Sequence, residues 1–183
     1  SLNKIEKGYF MAAGRLTKQK NHIYLIREFK KFLKYYPNEK LILVGEGELK
    51  NKIQSEILNN NLSDNIKLLD YKDNIYFYMK NSKAFILSSL WEEVGFVIVE
   101  AALCNTLIIS SDCKNGPKEF LLGGKAGLIF ENNTKDQLLN KLKEFKNCEQ
   151  EDIYKKKLHA KKNVKQFTMF RHNLSLNKII ERI

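Results

Sequence analysis

The stretch Leu41-Ile42-Leu43-Val44-Gly45 constrains the fold more than any other part of the chain. It contains no polar side chain, so it cannot alternate between a core face and a solvent face. An apolar run of this length ending in glycine is what a strand buried on both faces requires. The pattern returns in Gly8-Tyr9-Phe10-Met11-Ala12-Ala13-Gly14, in Ala84-Phe85-Ile86-Leu87-Ser88-Ser89, in Leu107-Ile108-Ile109-Ser110-Ser111 and in Gly127-Leu128-Ile129-Phe130. A shorter run, Ile66-Lys67-Leu68-Leu69, completes six.

Helical periodicity fills the intervals. From Asn21, Ile26, Phe29, Leu33 and Tyr36 recur at three- and four-residue spacing until Pro37 stops the helix. Further helices are expected at about 49–60 and 74–80, after Gly95, and from Pro117, which suits a first helical turn. Thr134 is expected to cap a helix with Leu138, Leu139 and Leu142 inside, followed by helices at about 150–164 and 169–182. Strands alternating with helices in this way predict an α/β fold: a Rossmann-like, doubly wound parallel six-stranded sheet with helices on both faces. The organisation expected is one domain over 1–183, with 150–183 a helical C-terminal extension.

The net charge of +11 raises nucleic acid as a partner. Much of the excess lies in solvated helix faces such as Lys30-Lys31 and Lys155-Lys156-Lys157, and no helix-turn-helix, RNA-recognition or zinc-finger signature accompanies it. The reading is no nucleic acid, with peripheral contact to an anionic membrane surface as the second use of the charge. No run reaches membrane-spanning length, and Cys104, Cys113 and Cys148 show no paired spacing. A cytoplasmic protein, at most peripheral to the inner face of a membrane, is expected. His22, His159 and His172 lack metal-ligand spacing, so surface or helix-packing roles are assigned and no metal site is expected.

In open α/β sheets ligands bind outside the carboxyl ends of the strands, against helix N-termini. Gly14-Arg15-Leu16-Thr17-Lys18-Gln19-Lys20-Asn21 occupies such a corner. Arg15 and Lys20 there read equally well as a diphosphate clamp, at about 1.5–3 kcal/mol per charge-assisted hydrogen bond, or as two exposed loop cations. Gly45 and Gly47 begin a G-x-G pattern without its third glycine and with two glutamates, which argues against a dinucleotide site and for a tight turn near a ligand or a neighbouring loop. Glu92 and Glu100 bracket another corner with seven residues between them; a carboxylate buried there is costly unless something binds it. Asp112 reads as a turn residue, and Glu119, in Asn115-Gly116-Pro117-Lys118-Glu119, as a complement to the helix dipole. Cations, glycines and paired acids converging on one rim suit a ligand carrying both phosphates and hydroxyls.

G-R-L-x-x-x-K-N, L-V-G-E-G-E-L, the D-N-I loop, S-S-L-W-E-E-V-G-F-V-I-V-E-A and N-G-P-K-E-F stand here in one order. Over about 8–130 the chain resembles the C-terminal, donor-binding domain of family 4 glycosyltransferases, which are retaining enzymes of the GT-B fold. The resemblance implies transfer of a sugar from a nucleoside diphosphate sugar, UDP-sugar favoured over GDP-sugar, to a glycan or lipid-linked acceptor in bacterial glycan assembly, with no cofactor. It implies that Arg15 and Lys20 bind the diphosphate and stabilise the leaving group without a metal, as the catalytic cations. By the same match Glu100 bonds the ribose, and Glu92, the third catalytic residue, lies near the transferred sugar. Backbone groups of Val94, Gly95 and Phe96, with Val97 beside them, would contact the donor; Tyr71, Lys72 and Asn74 would border the base; Gly14 and Gly45 would allow close approach.

The chain departs from the family pattern at three places. Glu92-Glu93-Val94-Gly95 replaces E-G-F-G, Asp70 replaces a glycine, and Leu103-Cys104-Asn105-Thr106-Leu107 replaces A-C-G-x-P. The family's N-terminal acceptor domain is expected to be missing from a chain that opens Ser1-Leu2, leaving half an enzyme that transfers little alone. A non-catalytic nucleotide-sugar-binding module and a GT-B-fold sugar epimerase are the alternatives.

Overall fold

The computed structural model describes residues 7–93 and 95–167. Six strands form one parallel sheet: β1 (Tyr9–Ala13), β2 (Leu41–Val44), β3 (Ile66–Leu69), β4 (Ser82–Leu87), β5 (Leu107–Ser111) and β6 (Leu128–Phe130), in spatial order β3-β2-β1-β4-β5-β6. The order reverses between β1 and β4, and this is where a doubly wound sheet opens a crevice at its carboxyl edge. The expected fold class is the observed one.

Alternate residues of each strand feed two cores, as a pleated strand requires. On one face Phe10, Ala12, Leu43, Ile86 and Ile109 pack under α1 (His22–Leu33), α2 (Lys50–Asn59) and α6 (Gln137–Asn147). Phe10 is the hub of that face, meeting Phe29, Phe32 and Phe145 edge-on at 5.4–5.7 Å between ring centres. On the other face Met11, Ala13, Val44, Phe85 and Ile108 pack under α3 (Ile75–Asn81), α4 (Phe96–Leu103), the short α5 (Pro117–Phe120) and α7 (Gln150–Asn163).

At the amino edge of the sheet, Glu39 is buried and receives Lys83 and Lys146 at 2.5 and 2.9 Å. This ties the entrance of β2 to the start of β4 and the end of α6. Burial alone would raise the Glu39 carboxyl, but hydrogen bonds from the two lysines hold it below its ordinary value.

Three expectations change. The first helix ends at Leu33, ahead of Pro37, because Tyr35 and Tyr36 turn back onto the Phe32 carbonyl. Strand β4 begins at Ser82, since α3 runs into it directly and Ser82 Oγ closes on the Met79 carbonyl at 2.7 Å. Thr134 does not cap α6: Asp136 holds the cap position and Thr134 Oγ1 donates to the Asn132 carbonyl instead. The extension packs on the domain through Ile153, Ala160 and Val164, with Asn163 Nδ2 donating to the Phe120 carbonyl at 2.7 Å. The helix expected at 169–182 and His172 lie outside the described residues.

Candidate functional site

Two loops cross beside the switch point. After β1 the chain passes through Gly14 and Arg15, plants Leu16 in the core, makes a 3-10 turn at Lys18–Lys20, and enters α1 through Asn21 in the left-handed region. The loop after β2 runs beneath it. Leu16 N–H donates to the Glu46 carbonyl at 2.7 Å, and the Leu16 carbonyl accepts from Leu49 N–H at 2.9 Å. Gly45, at φ 155°, lies so close to this strap that an added Cβ would sit 2.0 Å from the Gly14 carbonyl oxygen. The β2 glycines thus serve a neighbouring loop, one of the two uses expected.

The loop after β4 is anchored from several sides. Ser88 Oγ donates to the Lys20 carbonyl, Leu90 N–H to the Gln19 carbonyl and Gln19 Nε2 to the Trp91 carbonyl, each at 2.8 Å. Trp91 also bridges to Lys114 after β5, and Asn132 Nδ2 after β6 donates to the Leu90 carbonyl at 2.8 Å. These bonds bring Glu92, 5% exposed, against Lys20, with Nζ to Oε1 at 2.6 Å. The buried Ser89 hydroxyl donates to the same oxygen, and the Ser89 carbonyl accepts from Ser111 Oγ at 2.7 Å. A buried carboxylate is tolerated because cation and hydroxyl both reach it.

Gly95, at φ 68°, turns the chain into α4, and Ile98 N–H bonds back to its carbonyl at 2.9 Å. Among the described residues no side chain caps this helix start, which leaves its first N–H groups available to an acceptor. Glu100, partly buried, lies just over a turn along α4. Its charge, ahead of burial, pushes the neighbouring Tyr76 phenol above its usual range.

The result is a two-part crevice. One part, about 460 Å³, is lined by Gly45, Glu46, Tyr71, Lys72, Tyr76 and Glu100 among others. The second, about 410 Å³, is lined by Gln19, Lys20, Trp91, Glu92, Gly95 and Phe96 among others. Gly14, Arg15 and Val97 border both. A larger hollow of about 520 Å³ opens beside Lys7, Lys40 and Lys67, away from the strand ends that gather these groups.

Of the candidate residues, Gly14, Arg15, Lys20, Gly45, Tyr71, Lys72, Glu92, Gly95, Phe96, Val97 and Glu100 meet in this crevice. Asn74 lines neither part; its carbonyl accepts from Phe77 N–H at the start of α3, and Asp73, Ile75 and Tyr76 face the cleft instead. Val94 lies outside the described residues. Asp112 is not in a turn: it leaves β5 in an irregular stretch, and its Oδ1 accepts from Asn132 N–H at 2.8 Å, tying the segment after β5 to the one after β6. Glu119 closes the start of α5 by accepting from Gly116 N–H at 3.1 Å. Sequence reasoning passed over Tyr76, Gln19, Ser89 and Trp91. Only Tyr76 and Trp91 carried a signal, as large aromatics beside motif residues.

His22 is 4% exposed and packs at the start of α1, and His159 is exposed. Burial first, and the Lys20 charge second, hold the His22 imidazole down at about 4. Among the described residues no helix is long and apolar enough to cross a membrane.

In a doubly wound parallel sheet a crevice at the switch point is where ligands bind, and here it is lined by both cations and carboxylates. The chain belongs to the Glycosyl transferases group 1 family, whose sequence profile matches residues 1–167. It is 47% identical over 112 residues to an uncharacterized glycosyltransferase of Methanocaldococcus jannaschii, covering 61% of this chain and 28% of that protein. It is 30% identical over 135 residues to the Campylobacter jejuni N-acetylgalactosamine-N,N'-diacetylbacillosaminyl-diphospho-undecaprenol 4-alpha-N-acetylgalactosaminyltransferase, covering 74% of this chain and 36% of that one. The chain thus spans about a third of the length of these relatives.

Solved structures share the fold. Staphylococcus aureus TarM, as a variant in complex with Fondaparinux, alpha-GlcNAc-glycerol and UDP, superposes with a TM-score of 0.80 at 24% identity, over 87% of this chain and 32% of that one. The C-terminal domain of a glycosyl transferase group 1 family protein, LpcC, from Francisella tularensis gives 0.73 at 18% identity, over 86% of this chain and 85% of that domain.

Proposed function

We propose that this chain is the C-terminal, donor-binding half of a retaining glycosyltransferase of the family 4, GT-B type, and that it holds a nucleoside diphosphate sugar, UDP-sugar before GDP-sugar. The observation that carries the reading is the two-part crevice joined at Gly14 and Arg15, with Glu100 in one part and the Lys20–Glu92 pair in the other. A nucleotide sugar has the same sequence of chemistries: a base and ribose, a central diphosphate, and a terminal hexose. Tyr71 and Tyr76 border the base and Glu100 accepts from the ribose hydroxyls. Arg15, Lys20 and the open N–H groups of α4 face the diphosphate, and Glu92 faces the hexose.

The chemistry follows from charge. As the bond from the sugar carbon to the phosphate oxygen breaks, negative charge grows on the diphosphate. Fixed cations and a helix N-terminus are strongest in that state and need no reorganisation to reach it. The acceptor oxygen bonds the same carbon from the same face, and its proton passes to the departing phosphate. No side chain of this domain is then required as the base. Binding of the acceptor falls to the other half of the enzyme, so this domain alone transfers little. The Campylobacter relative's name supports a lipid-linked acceptor, and the Francisella domain's extent supports a separable C-terminal unit. We place the enzyme in the cytoplasm, with the lysine-rich surface available to the inner membrane face.

Calorimetric titration of UDP, GDP and ADP tests the reading. UDP should bind most tightly. Arg15 is exposed, so Arg15→Ala should lower UDP affinity by about 1.5–3 kcal/mol, roughly 10- to 100-fold, without lowering the melting temperature. Glu100→Ala should weaken UDP and leave pyrophosphate unaffected. Binding of no nucleotide, or binding indifferent to both substitutions, removes the donor site.

A further inference from the structure

Trp91 is the single tryptophan of the chain, and it is 48% exposed. An indole is mostly covered in ordinary packing because it carries so much apolar surface. Trp91 belongs to neither sheet-face core. Its backbone is nonetheless tightly fastened, bridged to Lys114, accepting from Gln19 Nε2, and following a Leu90 bonded on both sides. A large ring is therefore held out from the fold at a fixed place.

That place is the wall of the roughly 410 Å³ cleft, shared with Phe96, which is 61% exposed. The same cleft presents Gln19, Lys20, Glu92 and Glu93. Lys20 and Glu92 already pair with each other, and Gln19 Nε2 with the Trp91 carbonyl. A wholly apolar ligand would still cover the hydrogen-bonding capacity that these groups and the exposed Glu93 keep, and a phosphate alone would meet two carboxylates. A ligand with one apolar face and a rim of hydroxyls satisfies both walls, and a pyranose ring is such a ligand.

We infer that Trp91 is a stacking platform for a pyranose, the indole covering the C–H face of the sugar while Gln19, Glu92 and Glu93 take its hydroxyls. The assignment rests on the donor-site reading and adds the residue that recognises the sugar. The pyranose belongs either to the donor or to the acceptor, and the test separates the two.

Because Trp91 is the only indole, its emission reports this cleft alone. It is followed in the intact chain while UDP, then UDP-glucose, UDP-galactose and their N-acetyl forms, then methyl hexosides with UDP are added, with calorimetry in parallel. For a donor platform, at least one UDP-sugar shifts the emission where UDP does not. Trp91→Ala then weakens that sugar relative to UDP by about tenfold, and Trp91→Phe restores most of the difference. A shift produced only by a hexoside in the presence of UDP supports the platform and assigns it to the acceptor. If UDP and the UDP-sugars bind, no sugar shifts the emission, and Trp91→Ala binds each as the parent does, the platform is overturned while the donor site stands. If UDP itself fails to bind, the donor reading falls and the platform with it.

Discussion

Lys20 and Glu92, 72 residues apart in sequence, meet with Nζ 2.6 Å from Oε1 inside the crevice. The cation proposed for the diphosphate therefore also neutralises a buried carboxylate, and the two duties can be separated. Lys20→Ala should destabilise the fold by about 2–4 kcal/mol, because it leaves Glu92 buried without its partner. The double variant Lys20→Ala with Glu92→Gln should recover most of that stability in a urea melt. Its UDP affinity should remain as low as that of Lys20→Ala. Recovery of UDP binding in the double variant would mean that Lys20 only holds Glu92.

The crossing of the β1 and β2 loops depends on absent side chains. Gly45→Ala places a Cβ 2.0 Å from a backbone oxygen at φ 155°, so the strap over it must move. Stability should fall by about 2–4 kcal/mol, and nucleotide affinity should fall with it because Gly14 and Arg15 ride on the displaced loop. Gly123→Ala is the comparison: φ is 62° there, but nothing lies within 4 Å. Its cost should be about 1 kcal/mol, with binding unchanged. Equal losses from the two substitutions in thermal melts would refute the crossing argument.

His22 sets a pH dependence. Its value of about 4 in the fold, against 6.5 ordinarily, means that between those values the unfolded chain takes a proton that the folded chain refuses. Stability is then complete above about pH 6.5 and declines as pH falls toward 4, by on the order of 3 kcal/mol in all. Glu39, whose carboxyl is held down by its lysines, contributes stability above its ordinary value of 4.5 and loses it only at lower pH. His22→Leu should flatten the melting temperature between pH 6.5 and 5 and leave the steeper acid limb. An unchanged slope over that interval would show that another group sets it.

Much of the fold can be read from single runs of residues. Ile66–Leu69 and Leu107–Ser111 are strands with the expected bounds, because period and termini are local properties. The cap expected at Thr134 fails because a hydroxyl there competes between helix and turn, and the turn at Asn132 takes it. The motif residues of the crevice converge because they stand at strand ends, and strand ends share one edge in a parallel sheet. What no run discloses is pairing across loops. That Lys20 meets Glu92, and that Ser89 donates to the same carboxylate, depends on the loops after β1 and β4 arriving together beside Ser111 of β5. Trp91 escaped notice for another reason: an exposed aromatic has no periodic partner to mark it.

The Glu39–Lys83–Lys146 cluster lies at the amino edge of the sheet, while the crevice is built from loops at the carboxyl edge. The two ends of the barrel-less sheet are thus under different constraints. Charge locks β2, β4 and α6 together where no ligand is expected, so the loops opposite can be exchanged without loosening that lock. A chimera carrying a relative's β4–α4 loop on this frame is therefore a practical route to a new sugar preference.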